Sequence, residues 1–488
     1  MLNLKKLHLL DLDKCDSVSD LVCGMSSTSF GGRMLGEVAQ AMVWLVQAHN
    51  KPLLVYEGKK TDPLRKLMRK MVERDWFRGP FTVEEFIREK TEIVPTVIMV
   101  GRYSEFLEEE LFAKAGRIIF INEFGLCKPG QIKDGYFPDV VFTDPHFVLP
   151  VIEQTILEHL GGHQLDLSNF LVGASKYGGL AAKTSEAVQT LLAAFHDPEC
   201  AVFLTLAGAM TIAQMSKMIQ KMIDEMAVDY ISSTGALMAH GLIQGLGQCH
   251  YKYDPGVSDE SLRQCELNRV TDTLEPETNF DHLDEAISRV ISRLNLTKPI
   301  GSIEFHREIG QYLYEKHPNT DAILKSAYVH NIPVSVVALT DSEVGNDLYT
   351  TNREKILRGD NKIVFDQERD TDILVQTALS APRRAIFSIG GGVPRNNTQN
   401  VAPLVDLLNR RLKLGLPEVP FYYGVRIDPT PMHFGNLSGA TYGEGGSWGK
   451  FVFGGRQTEI QCDATIVWPF IMKAVFEKFE GRCQLKMI

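Results

Sequence analysis

The residues best suited to chemistry lie in GNLSGATYGEGGSWGKF, residues 435–451, where Lys450 follows Trp448 and Gly449 and precedes an apolar run. An ammonium group held against an aromatic ring and apolar walls loses hydration, so its pKa falls and neutral amine forms. A neutral amine can attack a carbonyl or imine carbon. The pattern predicts an imine-forming lysine, with Glu444 placed to hold a cationic substrate. The alternative is a surface lysine beside a packing tryptophan.

Small residues follow three strand-like runs, CAVFLTL, VDYIS and RAIFSI. Backbone without Cβ atoms can approach a phosphate or ribose closely, and open α/β sheets bind ligands at the carboxyl ends of their strands. We therefore predict a nucleotide lying across one sheet edge, although each turn alone could be only a flexible connection. The small residues at these ends are Gly208; Ser233, Thr234 and Gly235; and Gly390, Gly391 and Gly392.

Four carboxylates lie close to predicted strands. Asp341 follows PVSVVALT and is trailed by Asp347, Asp428 follows VPFYYGVRI, and Asp463 precedes ATIV. A carboxylate at a strand end can bind a ribose hydroxyl or a cationic amine. It can equally cap the next helix, so both interpretations stay open for each residue.

Strand-like and helix-like segments alternate along the chain, which predicts an α/β fold with a doubly wound, mostly parallel sheet. An N-terminal α/β region, residues 1–165, precedes the main domain, residues 166–488. The polar segment 251–279 is predicted to be a surface excursion, and the glycine-rich residues 435–454 a functional loop. The predicted strands are 52–57, 96–101, 117–122, 139–142, 200–206, 228–233, 333–339, 384–389, 419–427 and 464–467.

The first third contains a faint internal repeat. Residues 26–59 and 173–208 both give a turn with a Gly-Gly pair, an amphipathic helix and a buried strand that ends near glycine. Two similar α/β units could arise by duplication or by chance. The role of residues 1–165 therefore stays open between a degenerate half-copy, a regulatory domain and an assembly domain.

Composition excludes several classes of protein. The 488 residues include 51 basic and 61 acidic side chains, which argues against a nucleic-acid carrier. We find no secretory signal and no run of about 18 apolar residues, so we expect a soluble cytoplasmic protein that does not enter membranes. The eight cysteines show no CxxC pair, which predicts free thiols and no metal site. Cys127 and His146 lack partners at motif spacing and are predicted to be structural.

Six segments together resemble the deoxyhypusine synthase family, particularly its bacterial deoxyhypusine-synthase-like branch, over about residues 166–488. The ending SWGK is the most specific, because the family's catalytic lysine occupies its last position. The segments are CAVFLTLAGAM (200–210), SSTGA (232–236), NIPVSVVALTD (331–341), SIGGGVPRN (388–396), EGGSWGK (444–450) and CDATIVWPF (462–470).

The resemblance implies a Rossmann-like fold, NAD as cofactor and a homotetramer with active sites between subunits. It implies aminobutyl transfer from a polyamine such as spermidine, through an imine on the lysine, to an acceptor amine. The acceptor is a protein lysine in eukaryotic and archaeal members, whereas some bacterial relatives use putrescine and make homospermidine.

Carried over by motif, Lys450 is the nucleophile, Trp448 a wall for the polyamine chain, and Glu444 a contact for one of its amines. Asp347, or its neighbour Asn346, stands where a second acidic residue of the family holds the substrate, because one extra residue shifts the register here. Asn396 and His240 are also assigned to the substrate pocket. The cofactor set implied by the resemblance is Gly208, Ser233, Thr234, Gly235, Asp341, Gly390, Gly391, Gly392, Asp428, Asp463 and Ala464.

The sequence departs from the family at the substrate pocket. Met238 and Ala239 replace a pair of glutamates, Asn396 replaces a histidine, and Leu437 replaces an aspartate. The cofactor and lysine motifs are retained while polyamine recognition is altered. A homospermidine-type synthase using putrescine or another small amine, and a non-catalytic paralogue that regulates an active subunit, are therefore alternatives. A plain nucleotide-dependent dehydrogenase is a further one, and it would not need Lys450.

Overall fold

The computed structural model describes residues 4–57, 61–89, 93–101, 112–123, 131, 138–294 and 298–481. The described strands are β1 Lys5–Lys6, β2 Leu53–Glu57, β3 Arg78–Phe81, β4 Val94–Gly101, β5 Ala115–Asn122, β6 Val140–Phe142, β7 Cys200–Leu206, β8 Tyr230–Ser233, β9 Tyr251–Lys252, β10 Leu267–Val270, β11 Thr273–Pro276, β12 Val334–Val336, β13 Arg383–Ile389, β14 Phe421–Ile427 and β15 Phe451–Ile460.

The described helices begin and end as follows: α1 Val18–Met25, α2 Phe30–Gln47, α3 Pro63–Glu73, α4 Val83–Glu89, α5 Pro145–His159, α6 Leu167–Ala174, α7 Gly179–Phe195, α8 Ser216–Asp224, α9 Gly235–Gly245, α10 Asp259–Gln264, α11 Thr278–Arg293, α12 Ser302–Lys316, α13 Ile323–Val329, α14 Glu343–Leu357, α15 Gln367–Leu379, α16 Gly392–Gln399, α17 Val401–Leu412, α18 Tyr442–Ser447 and α19 Ala464–Phe476.

The main sheet has six parallel strands in the order β12-β8-β7-β13-β14-β15. Alternate residues of β7 enter different hydrophobic clusters: Val202 and Leu204 pack on one face, Ala201 and Phe203 on the other. Both faces are thus buried, as the nearly unbroken apolar runs predicted. The doubly wound α/β prediction is confirmed.

Two parts of the prediction for this sheet were wrong. Residues 464–467 are not a strand but the first turn of α19, because Asp463 caps that helix and its apolar run continues to Val475. Short apolar runs cannot distinguish a strand from a buried helix by periodicity alone. The glycine-rich segment 435–454 is not all loop, since it includes α18 and the start of β15.

The N-terminal region forms its own parallel sheet in the order β3-β2-β4-β5-β6. The four strands predicted there are confirmed, and β3 was missed because its RGPF sequence has little strand character. This order matches β8-β7-β13-β14-β15 of the main sheet, strand for strand. The internal repeat thus extends to the strand order of the two sheets, and duplication stays a prediction.

The hydrogen-bonded registers give the correspondence residue by residue. Gly101 follows the buried run of β4, Gly390 follows β13, and both have a positive φ. The hydrogen-bonded pairs of the next strands in each sheet extend this correspondence from strand to strand. It ends at two aspartates that cap helices α5 and α19, each with a proline six residues further on. The pairs are Gly101 with Gly390, Ile121 with Ile427, Val141 with Ile460, and Asp144 with Asp463.

A single hydrophobic core lies between the two sheets. It contains one face of each sheet together with α2, α5, α7 and α19, while the outer faces pack in separate clusters. Phe147 of α5 meets Phe470 of α19 edge to face, with ring centroids 5.1 Å apart. The two regions are therefore held together by the same buried side chains that stabilise each sheet.

The segment 251–279 is a surface excursion only in part, because residues 254–266 are mostly exposed whereas residues 272–275 are buried. Its strands β9, β10 and β11 form an antiparallel sheet with β1, and Asp272 and Glu275 are about 1% exposed. Little periodicity was visible because the strands are only two to four residues long. No helix in the described residues is long and apolar enough to cross a membrane.

We expect Phe147→Ala to loosen both sheets, because its ring belongs to the shared core. The cost should be about 3–5 kcal/mol of unfolding free energy. Hydrogen exchange read by mass spectrometry should show faster exchange in β2–β6 and in β7. Phe86→Ala, which empties a buried position in the outer N-terminal cluster, should affect β2–β6 alone. Fast exchange confined to the N-terminal sheet in both variants would contradict a shared core.

Candidate functional site

A cleft of about 440 Å³ lies at the carboxyl edge of the main sheet. Ten of the eleven predicted cofactor residues line it. Ser233 does not, because it is buried behind the edge and its hydroxyl donates to the carbonyl of Thr234. The ten are Gly208, Thr234, Gly235, Asp341, Gly390, Gly391, Gly392, Asp428, Asp463 and Ala464.

Close packing requires a glycine in the middle of the triple, and positive φ angles favour glycine at the other two positions. A Cβ on Gly391 would lie 2.6 Å from the Cα of Ser438, in the turn 437–439 that faces it. Real Cβ atoms do not approach a neighbour this closely. The backbone of this turn therefore borders the cleft directly, as a cradle for a phosphate or ribose would require.

Two of the three carboxylates that line the cleft, Asp428 and Asp463, are also turn or helix caps. Asp428 accepts a hydrogen bond from the Thr430 amide at 2.7 Å. Asp463 accepts from the Thr465 amide at 2.9 Å, and burial raises its pKa even though these hydrogen bonds act in the opposite direction. The two interpretations that the sequence left open are thus compatible.

Lys450 lies beside the helix that begins at the triple glycine. Its Nζ donates to Oδ1 of Asn396, 2.8 Å away and about one helical turn after Gly392. Burial lowers the pKa of Lys450, the Arg395 guanidinium lowers it further, and Glu444 acts in the opposite direction. The structure thus joins Lys450, Asn396 and Glu444 in one group, in which the pKa of Lys450 is lower than that of an ordinary lysine.

Sequence reasoning missed two buried arginines that support this group. Arg395 donates to the carbonyls of Leu437 and Ala440, at 2.6 and 2.9 Å, and Arg426 donates to the carbonyls of Ser438 and Ala440. Together they fix the turn that packs on the triple glycine. A charged residue inside the otherwise apolar VPFYYGVRI run was the available signal for Arg426.

Trp448 is 66% exposed, so this chain does not enclose its ring. Several large apolar side chains nearby are also exposed, which is unusual for an isolated surface. We call these residues the apolar rim: Val393, Met432, Phe434, Leu437, Trp448 and Phe453. The role of Trp448 as a substrate wall stays a prediction.

The remaining predicted substrate residues form a second group, on α9 and α14. Nε2 of His240 lies 3.8 Å from Oε1 of Glu343, which is one turn before Asp347. Burial and the carboxylates of Asp284 and Glu343 raise the pKa of Asp347 to about 7. Within the described chain, Oδ2 of Asp347 and Oε2 of Glu343 are buried without a hydrogen-bond partner. Such a group can accept the N–H donors of an amine.

His240 also belongs to a buried triad with Glu275 and His250, whose ligand atoms lie within 4.8 Å of one another. The Gln244 amide, held by the Thr211 carbonyl, faces Nδ1 of His250, so that nitrogen accepts and Nε2 carries a proton. Nε2 of His250 lies 2.5 Å from Oε2 of Glu275. Burial alone would raise the pKa of Glu275, but its bonds to both histidines lower it to about 2. The two histidines and Glu275 could also hold a metal ion, which the sequence did not predict.

His146 and Cys127 were predicted to be structural. His146 contacts Asp144 at 2.7 Å and Asp62 at 3.2 Å, so it has partners that sequence spacing did not reveal. Cys127 lies outside the described residues. The six described cysteines are free thiols.

Comparison with known proteins gives a consistent result. The family model for deoxyhypusine synthase matches residues 171–475. "Probable deoxyhypusine synthase 2" of Methanosarcina acetivorans is 31% identical over 317 residues, covering 64% of this chain and 87% of the relative. "Deoxyhypusine synthase-like protein" of Chlorobaculum parvum is 31% identical over 290 residues, with 59% and 80% covered. A protein of that name from Coxiella burnetii is 25% identical over 337 residues, with 68% and 92% covered.

Lys450 should react as a neutral amine at lower pH than an ordinary lysine. Acetylation across a pH series, read by mass spectrometry, should give a lower midpoint for Lys450 than for the exposed Lys362 in the same sample. Glu444→Gln should lower the Lys450 midpoint further, because the Glu444 carboxylate stabilises the ammonium form. The exposed Glu354→Gln is the matched control and should leave it unchanged. Equal midpoints for the two lysines would contradict the lowered pKa.

Proposed function

This chain belongs to the deoxyhypusine synthase family, and from that premise we propose that it is an NAD-dependent transferase of aminoalkyl groups. The observation that carries the proposal is the half-buried Lys450, whose pKa is lowered and whose amine lies beside the helix that opens from the triple glycine. A plain dehydrogenase needs no such lysine.

The cleft fits NAD on chemical grounds. Gly391 leaves room for backbone approach, and Asp341, Asp428 and Asp463 offer acceptors for ribose hydroxyls. NAD, when bound, would take a hydride from the donor amine and return it at the end of the reaction. The turn 437–439, held by Arg395 and Arg426, would keep water from the wall of that cleft.

Lys450 would act as the covalent carrier. Its neutral Nζ attacks the imine carbon of the oxidised polyamine, the C–N bond to the leaving amine breaks, and that amine departs with the proton that Nζ loses. The aminobutyl group is then held as an imine on Lys450 until an acceptor amine displaces the lysine. Asn396 would orient Nζ through its amide oxygen.

The group formed by His240, Glu343 and Asp347 would hold an ammonium end of the polyamine. It has no described contact with the Lys450 group, which suggests that the two groups serve different parts of the site. The exposed apolar rim offers a surface for a second copy of the chain. We therefore propose assembly of a homotetramer whose sites are completed across subunits, in a cytoplasmic protein.

A second candidate is a homospermidine-type synthase with a small diamine as acceptor. It is favoured by Met238 and Ala239, which are buried in α9 where the family's glutamate pair would stand. A non-catalytic paralogue is less well supported, because it would have no need to keep the Lys450 amine neutral.

A borohydride trap tests the proposal. Protein incubated with NAD and spermidine, then reduced, should carry an aminobutyl group on Lys450, with diaminopropane released. Lys450→Arg should keep its melting temperature but form no adduct, because its guanidinium stays protonated. Lys362→Arg is the matched control and should form the adduct normally.

Other amines distinguish the alternatives. Adducts from putrescine, or transfer to it, would favour the homospermidine-type activity. No adduct from spermidine, putrescine or homospermidine in a protein that binds NAD would refute transfer from these donors.

Amine binding should also depend on pH through Asp347. Its carboxyl must be ionised to pair with an ammonium group, and its pKa is raised to about 7. Spermidine affinity in the presence of NAD should therefore rise between pH 6 and pH 8, as measured by calorimetry. Asp347→Asn should lower affinity at pH 8 by about tenfold, the loss of one charged hydrogen bond, and should flatten the pH profile. The exposed Asp360→Asn should behave like the unmodified protein.

A further inference from the structure

The start of helix α2, in the N-terminal region, reaches the edge of the cleft. The Gly31 amide donates to Oδ2 of Asp463 at 3.1 Å, and the Gly32 amide donates to Oγ1 of Thr465 at 2.8 Å. Thr465 in turn donates to Oδ1 of Asp463 through its amide and its hydroxyl, at 2.9 and 3.0 Å. Both oxygens of this cleft-lining carboxylate are therefore held, one of them by a residue 432 positions away in the chain.

The contact leaves no room for side chains at the Gly-Gly pair. A Cβ on Gly31 would lie 2.7 Å from Oδ2 of Asp463 and 2.8 Å from the side chain of Ile466. A Cβ on Gly32 would lie 2.5 Å from the carbonyl oxygen of Thr465. Close approach to the cleft edge, and not an unusual backbone angle, therefore explains both glycines.

The turn before α2 is fixed independently of the cleft. The Phe30 amide donates to both oxygens of Asp272, at 3.0 and 3.3 Å, and the Ser29 hydroxyl bonds to that of Thr273 at 2.5 Å. Arg33, fully buried, forms an ion pair with the same aspartate. The antiparallel sheet 251–279 thus anchors α2, so the position of its first turn is set before any ligand binds.

An equivalent contact exists on the opposite side, between the other two members of the repeat. Oδ2 of Asp144 accepts from the Leu180 amide at 2.7 Å, and a Cβ on Gly179 would lie 2.2 Å from the same oxygen. The two contacts meet at the Thr143 hydroxyl and the Cys462 thiol, which are 3.2 Å apart. Each copy therefore holds the capping aspartate of the other copy.

Only one of the two aspartates borders the glycine-rich cleft. In the N-terminal copy a single glycine, Gly101, is followed by Arg102 and Tyr103 in the sequence, where the main copy has three glycines. The contact at Asp463 can thus affect cofactor binding in this cleft, whereas Asp144 does not line it.

We propose that Gly31 and Gly32 are positioning residues of the cofactor cleft, through which the N-terminal copy holds Asp463 in place for the ligand. The inference rests on the proposed function, because it assumes that the cleft binds NAD. In this proposal residues 1–165 hold Asp463 at the edge of the cofactor cleft, a role that a partner subunit could otherwise have. The contact acts through backbone amides, so it needs the folded N-terminal region and not a particular side chain.

The test compares Gly31→Ala with Gly179→Ala, at the glycine that approaches Asp144. Because Gly179 has a φ of +50°, this second alanine also adds backbone strain. Three quantities are measured for each variant: NAD affinity by calorimetry, hydrogen exchange of peptide 462–470 without ligand, and the melting temperature. We expect Gly31→Ala to weaken NAD binding by about tenfold, because the Asp463 carboxylate would be displaced from its position. Hydrogen exchange in peptide 462–470 should become faster. Gly179→Ala should lower the melting temperature yet leave NAD affinity within about twofold. Thr465→Val, which removes the acceptor of the Gly32 amide without adding bulk, should act like a milder Gly31→Ala.

The outcomes separate the two proposals. If both glycine variants weaken NAD binding in proportion to their loss of stability, or if Gly31→Ala binds NAD normally, the positioning role is refuted. If the unmodified protein does not bind NAD, the proposed function and the cofactor role of this contact fail together. Exchange in 462–470, measured without ligand, then still reports whether Gly31 holds Asp463.

Discussion

The rest of this structure depends on one hydrophobic core shared by two parallel sheets. The central strands of both sheets are apolar on both faces, so the inner face of each sheet must pack against other elements. Helices α2, α5, α7 and α19 provide that cover for both sheets at once. The same packing sets the distance between the N-terminal region and the cleft edge, and it makes the Gly31 to Asp463 contact possible.

Parallel strands and the residues at their ends were predictable from the sequence. Apolar runs identified β2, β4, β7 and β13, and the carboxyl ends of neighbouring strands meet at one edge, which brought ten predicted residues into one cleft. Edge strand β15, which is glycine-rich and polar, carried no such signal. The strand prediction for residues 464–467 was wrong because the periodicity of a short apolar run does not distinguish a buried strand from a buried helix.

Tertiary relationships could not be read in the same way. No local pattern connects Gly31 with Asp463 or Arg395 with the turn at 437–440, because these pairs are distant in sequence. The repeat was visible as a resemblance between two segments, but the correspondence of strand order and hydrogen-bond register became visible only in the structure. For Lys450, the sequence predicted burial beside Trp448, whereas the described contacts come from Asn396 and Arg395.

The two copies of the repeat are encoded as separate stretches of one gene. In an assembly of identical subunits, every substitution occurs in every subunit, so a change that favours one site also alters the equivalent site. Covalent fusion removes that coupling. In this chain both regions have a capping aspartate, but only the main region has the three consecutive glycines of the cleft. Within a single chain, the N-terminal region can therefore serve as a scaffold while the main region keeps the residues of the cleft.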